Sequence, residues 1–359
     1  MHGSVRISDS TRVNLWVHDI NRGRQQYGAF HSLIQELRFD NARFSAYFRL
    51  DKSQFETLLR IGAPSIIRQD THMRQAISPE ERLRRLLHFL LLHGRLLENL
   101  NFRVGISTVS SIVPDVATAI WDCLVEEFMA QWIFTLCCGA LDGKHVVIKA
   151  PAHSGSMYFN YKGTFSLVLL AVVDAEYCFR VIAVGGYGRT SDGGILANSA
   201  FGAALRSGTL QLPADLPLTG ADHRGPQPHV FVADEAFPLR NKLMRPFPGR
   251  NLTREPRLVV ENAFGILSSQ WRIYRRALEV KVEVAEKCVK ATCVLHNFMR
   301  KTTPPPSALR GKIPAGEVDP PPGLGRVAAN NSAREAIRIR EAFTSYFPTE
   351  GTVPWQDNV

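Results

Sequence analysis

Apolar residues recur at three- and four-residue spacing through "FHSLIQELRFDNARFSAYFRLDKSQFETLLRIGAPSI", which predicts short helices. "SPEERLRRLLHFLLLHG" predicts a firmer one, with Ser78 as N-cap, Glu81 closing a capping box and Gly94 ending it. "RLLENLNFRVGISTVSSIVPDVATAIWDCLVEEF" reads as two helical patterns separated by a turn around Gly105. From Leu136 the period changes. "ALDGKHVVIKA", "TFSLVLLAVVDA", "YCFRVIAVGG" and "HVFVAD" are β-branched apolar runs bounded by Gly, Asp or Pro, so they predict strands. A helix-like stretch, "GGILANSAFGAALRSG", separates the third run from the fourth. "PRLVVENAFGILSSQWRIYRR" and "EVAEKCVKATCVLHNFMRK" return to helix, and a proline-rich linker, "TTPPPSALRGKIPAGEVDPPPGLGR", leads to a short helical tail. No internal repeat is visible. Three strands, a helix, a strand and then helices make an α/β domain with a mixed sheet, preceded by a helical N-terminal region. The expected boundaries are 1–75, 76–131, 132–300 and 301–359.

Composition narrows this little but usefully. A chain of 359 residues, 45% of them hydrophobic, can bury a full core and carry two domains. It holds no run of eighteen apolar residues, and its first twenty lack a signal-peptide core, so neither a membrane span nor a secretory leader is expected. The six cysteines are scattered without a pairing rhythm, which suits a reducing compartment. A formal charge of +10 favours a polyanionic partner.

The chemistry rests on carboxylates. Asp142 falls inside "CCGALDGKHVVIKAP", a run that otherwise reads as a buried strand, and an ionised group there needs a base, a backbone donor or a metal ion as partner. Asp234 ends the fourth strand. Glu261 lies one residue round from the Val260–Ala263–Phe264–Leu267–Trp271 stripe of its helix, which predicts a position at the edge of the buried face. Three such carboxylates offer oxygen ligands for Mg²⁺ or Mn²⁺. The alternative is a turn aspartate before glycine and a solvated helical glutamate. Arg250, Arg254, Arg257, Arg272, Arg275 and Arg276 bracket Glu261 in sequence and, with Lys144, are candidate phosphate contacts; a solvated basic face is the plainer reading. "CVKATCVLHN" has metal-ligating residue types, but its spacing is that of a core helix. No nucleophile elbow, P-loop or dinucleotide motif occurs.

The strings "GALDGKHVVIKAPAHSGSMYFNYKGTFSLVLLAVVDAEYCF", "GRTSDGGI", "VADEAFPL" and "VVENAFGIL" closely resemble the PIF/Harbinger transposases and the nucleases derived from them. "FRLDKSQFETLL", "MRQAISPEERL", "VGISTVSSIV", "CVLHNFMR" and "VPWQ" extend the likeness over nearly the whole chain. The resemblance implies an RNase H-like catalytic domain with a DDE triad on Asp142, Asp234 and Glu261 holding two divalent ions, Mg²⁺ or Mn²⁺. Asp192, in "GRTSD", is an accessory ligand or the cap of the following helix. It implies phosphodiester cleavage and strand transfer on DNA, a nuclear location that a Myb/SANT-like partner can supply by import from the cytoplasm, and an oligomeric state left open. "RVGISTVSSIV" corresponds to a helix-turn-helix-like element, although its second helix carries Asp115 and Asp122 and is interrupted by Pro114. The chain is shorter than the family pattern before residue 132 and before Glu261. The rival reading is therefore a catalytically impaired DNA- or protein-binding protein, and a metal-dependent phosphatase is a distant third.

Overall fold

The computed structural model describes residues 24–72, 75–92, 103–129, 136–247, 255–303 and 334–351. These divide into two units. The first comprises the chain to Cys123 with Val147–Pro151 and Ser268–Thr292; the second comprises Leu124–Val146, Ala152–Leu267 and the chain from Cys293.

The first unit is helical. Helices α1 (Arg24–Tyr27), α2 (Leu33–Leu37), α3 (Asn41–Phe48), α4 (Lys52–Ile66) and α5 (Pro79–Leu91) precede the long α6 (Ile106–Phe128). Asp51 caps α4, accepting from the Gln54 N–H at 2.8 Å, and the Gln54 side chain returns the bond to complete a capping box. Ser78 caps α5 as expected, accepting from the Glu81 N–H at 3.2 Å. The Glu81 carboxylate does not close a box there. It turns inward to Arg85, one helical turn on, because both side chains are buried and an unpaired charge would cost more than the lost cap. Arg84 is also buried, its guanidinium over the rings of Phe44, Phe48 and Phe55 at 4.4–5.3 Å. Helix α5 ends at Leu91, so the expected terminator Gly94 lies outside the described residues.

Pro114 does not interrupt α6. The helix continues through it, and Val109, Ile112, Val113 and Val116 are fully buried. Burial of four large side chains, each worth about 1.5–3 kcal/mol, outweighs the roughly 3 kcal/mol a mid-helix proline costs. By length and composition α6 could cross a membrane, but this stripe is packed inside the first unit. Asp115 is paired with Arg68 and Arg82, both at 3.1 Å.

The second unit is built on a five-stranded sheet. In chain order the strands are β1 (Cys137–Val147), β2 (Ser166–Val173), β3 (Phe179–Tyr187), the two-residue β4 (Leu216–Pro217) and β5 (Pro226–Gln227), β6 (Val230–Ala233) and β7 (Leu243–Met244). The spatial order is β3-β2-β1-β6-β7, with β2–β3 antiparallel and β1–β6 and β6–β7 parallel, while β4 and β5 pair separately. All eight residues of β2 are buried, as in a strand covered on both faces. On one face α7 (Asp192–Asn198) and α8 (Ala200–Ser207) bury Ile195, Leu196, Phe201 and Leu205 against Leu141, Val168 and Phe231. On the other, Phe264 of α9 (Glu255–Gln270) meets the ring of Phe179 at 5.9 Å, and α10 (Val282–Thr302) contributes Phe298 and His296. The last helix, α11 (Arg334–Tyr346), is not a free tail. Its Ala336, Ile339 and Phe343 stripe packs on Val230 and Met244.

Candidate active site

Parallel pairing of β1 with β6 aligns Ala140 with Val232 and Leu141 with Ala233. The next residues on the two strands are Asp142 and Asp234. Side chains alternate across a sheet. Leu141, Phe231 and Ala233 belong to the core under α7 and α8, whereas Val232 packs on the α11 side. Asp142 and Asp234 follow paired residues of neighbouring strands, about 4.8 Å apart.

Asp142 is half-buried and accepts a hydrogen bond from the Gly143 N–H at 2.7 Å. Of the three partners the sequence left open, a backbone donor is thus present. Asp234 is also half-buried and accepts from the Ala236 N–H at 2.9 Å, which fixes the turn after β6. Asp192, the first residue of α7, brings a third carboxylate to the same strands. It does not cap that helix: Ser191 does, accepting from the Gly194 N–H at 3.3 Å. The Asp192 carboxylate lies against the backbone of Gly143, where a β-carbon would stand 2.2 Å from Oδ1. Glycine at 143 is therefore a steric condition for seating Asp192 against β1. Burial, and after it the Asp234 carboxylate, raises the Asp192 pKa to about 6, with Lys162 pulling the other way.

Three basic groups border the acids. Lys144, two residues after Asp142 on the same face, is largely enclosed; burial lowers its pKa, Lys162 adds to this and Asp142 opposes it. Its Nζ lies 5.6 Å from the Phe264 ring centroid. The His145 pKa is lowered by burial and by Lys162 and Lys144, and its Nδ1 is 2.8 Å from the Ser166 hydroxyl. Lys162 itself is exposed.

Glu261 lies one helical turn before Phe264 on α9, at the end that the Lys144–Phe264 contact brings to β1. It is exposed, which corrects the expected position at the edge of the buried face. Val260, Ala263, Phe264 and Leu267 bury their side of α9 as the stripe requires, but the 100° step to Glu261 carries it into solvent. The donor set suits a hard divalent cation in kind, being carboxylate oxygens only. Among the described residues, however, no three His, Cys, Asp or Glu side chains converge closely enough to hold an ion.

The expected arginine cluster is divided. Arg250 and Arg254 lie outside the described residues, as does the side chain of Arg257. Arg272, Arg275 and Arg276 belong to the first unit. There they are joined by Arg49, whose pKa is lowered by burial and by Arg272 and Arg275. Arg49 has a left-handed φ of 54° and reaches the C-terminal carbonyls of α9, while Gln270 Nε2 donates back to the Arg49 carbonyl at 2.7 Å. Sequence reasoning missed Arg49 because more than two hundred residues separate it from its partners. It also missed Asn160 and Lys162, although the "NYKG" turn signal was available.

Cys288, Cys293 and His296 are buried on α10, in keeping with a core helix. His296 Nε2 lies 2.8 Å from the Tyr177 carbonyl oxygen, and burial drives its pKa down to about 4.

Two aspartates just past the carboxyl end of the paired stretch of neighbouring parallel strands stand where such sheets commonly bind ligands. Residues 141–297 match the family described as DDE superfamily endonuclease. The chain is similar to Protein ALP1-like of Arabidopsis thaliana, 27% identical over 176 residues that cover 45% of this chain and 43% of that one. It is also similar to the proteins named "Putative nuclease HARBI1" of Bos taurus, 24% identical over 305 residues (76% and 82% of the two chains), and of Homo sapiens, 26% identical over 258 residues (64% and 69%). The chain thus spans less than half of the plant relative and more of the mammalian ones. These matches agree with the PIF/Harbinger resemblance of the motifs. No solved structure matches the chain.

Proposed function

We propose that the chain is a metal-dependent DNA endonuclease of the transposase type, its sheet an RNase H-like core. The observation that carries this is the adjacency of Asp142 and Asp234 after paired residues of neighbouring parallel strands, inside the endonuclease-matched segment. Asp142 and Asp234 would hold the first Mg²⁺ or Mn²⁺, with Asp192 accessory to them and Glu261 completing a second position. Such ions supply an activated water and stabilisation of the leaving oxygen at a phosphodiester. The protein's own residues do the rest. The Gly143 and Ala236 N–H groups orient one oxygen of each aspartate. Lys144 and Lys162 offset the negative charge of substrate and acids together. Arg49, Arg272, Arg275 and Arg276 supply contacts to phosphates. Strand transfer by the freed 3′-OH, a nuclear location and import by a Myb/SANT-like partner belong to the same reading, as does a homo-oligomer able to hold two element ends.

The exposure of Glu261, outside any three-ligand group, favours a second reading: a nuclease fold that binds DNA without turnover. The test is nicking of supercoiled DNA by the full chain with Mg²⁺ or Mn²⁺. Under the first reading wild type nicks, whereas Asp142→Asn and Glu261→Gln do not nick and still bind DNA. No nicking by wild type, together with retained binding, selects the second. Nicking that survives Glu261→Gln unchanged would remove Glu261 from the ligand set.

A further inference from the structure

Large apolar side chains are exposed beside the acids, on the hairpin of residues 154–165 and the end of β3. Tyr161 is 65% exposed, and Met157, Phe159 and Tyr187 are each 45% exposed. Exposed rings of this kind are costly in water unless something covers them in use.

They are also held rigid. Asn160, only 3% exposed, pins the hairpin from inside: its Oδ1 accepts from the Lys162 N–H at 2.9 Å and the Thr164 N–H at 3.2 Å, and its Nδ2 donates to the Ser166 hydroxyl at 2.8 Å. That hydroxyl also meets His145 Nδ1, three residues along β1 from Asp142. Each ring is braced edge-on by another: Tyr161 by His145 at 5.6 Å, Phe159 by Phe165 at 5.3 Å, Tyr187 by Tyr158 at 5.2 Å. Arg189, also exposed, ties the end of β3 to the hairpin through the Ser156 hydroxyl at 3.1 Å. The Lys162 Nζ lies 5.5 Å from the Tyr161 ring centroid.

We infer that this hairpin is a stacking platform for an unpaired nucleotide of the DNA substrate, with Tyr161 against the base and Lys162 and Arg189 against the flanking phosphates. The inference rests on the proposed nuclease reading and deepens it. Charge complementarity selects the occupant. A purely apolar partner would not need two cations at the edge of the rings, whereas a nucleotide offers a π-face and an anion together. The nearness of the platform to the three aspartates gives the stacked base a use: it holds a strand locally open next to the bond to be cut.

The test uses the full chain in EDTA, so that cleavage plays no part. The probes are two duplexes of equal length, one fully paired and one with a short unpaired segment carrying 2-aminopurine. Wild type is expected to bind the interrupted duplex about tenfold tighter and to change its 2-aminopurine fluorescence on binding. Tyr161→Ala should lose that preference and most of the fluorescence change; Tyr161→Phe should keep both. Equal affinity of wild type for the two duplexes overturns the inference, whatever the variants do. So does an undiminished preference in Tyr161→Ala, which would leave the rings to a protein partner. Equal affinity of wild type for the two duplexes alongside intact Asp142-dependent nicking sinks the platform alone. A preserved preference without any nicking sinks the nuclease reading alone.

Discussion

Asp174, at the β2–β3 turn, and Asp192, at the start of α7, are both carboxylates held away from bulk water, and their surroundings are opposite. Asp174 is fully provided for. It accepts from the Glu176 N–H at 3.0 Å and the Cys178 N–H at 2.8 Å, and pairs with Arg180. Next to it Asn297 accepts from the Phe179 N–H at 2.8 Å and donates to the carbonyls of Phe179 and Phe128 at 2.7 and 3.0 Å. Such an arrangement makes a rigid corner. At Asp192, burial, and after it the Asp234 carboxylate, raises the pKa to about 6. Like charges pressed together are what a structural site avoids and a site awaiting a cation or a proton tolerates. The contrast separates framework from function within one sheet.

The sharpest way to break the comparison is to neutralise each region in turn. Asp142→Asn or Asp234→Asn should cut Mg²⁺-dependent nicking on the order of a thousandfold, since charge stabilisation of several kcal/mol is lost. The denaturation midpoint should not fall. A drop in stability matching that at the Asp174 corner would show that the acids are structural.

Asn297→Ala should do the converse. It removes bonds to three backbone groups and strands buried partners, so unfolding in urea should show a loss of about 3–4 kcal/mol. DNA affinity of the folded fraction should be unchanged.

Two smaller effects are read from pH. His296 has a folded pKa of about 4, below its ordinary 6.5, so the unfolded chain takes up the proton first. Stability is then complete above about pH 6.5 and falls by about 3 kcal/mol as pH drops through 4. Asp192 runs the other way. Its folded pKa of about 6 exceeds the ordinary 3.8, so the folded state holds its proton longer, and stability falls as pH rises from about 4 to 6. After discounting for partial exposure the effect is about 2 kcal/mol. Asp192→Asn should abolish that slope and raise the melting temperature at pH 7, and added Mg²⁺ should raise the wild type's there. A slope that persists in Asp192→Asn would assign it to another group.

The sequence by itself determined the local features. Ser78 before a helix, the buried-strand run of β2 and the core helix bearing Cys288 and Cys293 follow from residue types and short spacings, because caps and periodicity act over a few residues. Asp142 and Asp234 were legible as acids closing or interrupting apolar strands, and the longer motif strings linked them to Glu261. Tertiary structure decided what distance in sequence conceals. The parallel register of β1 and β6 set the two aspartates side by side; a shift in register would have offset them along the strands. Gly143 acquired its meaning only from Asp192, packed against it from another element. Arg49 joined Arg272 and Arg275 across most of the chain, and α11 packed on the sheet where a tail was expected. Glu261 shows the limit most clearly. A helical stripe fixes which side is buried, but a residue one step from its edge is turned inward or outward by the neighbours that pack against it.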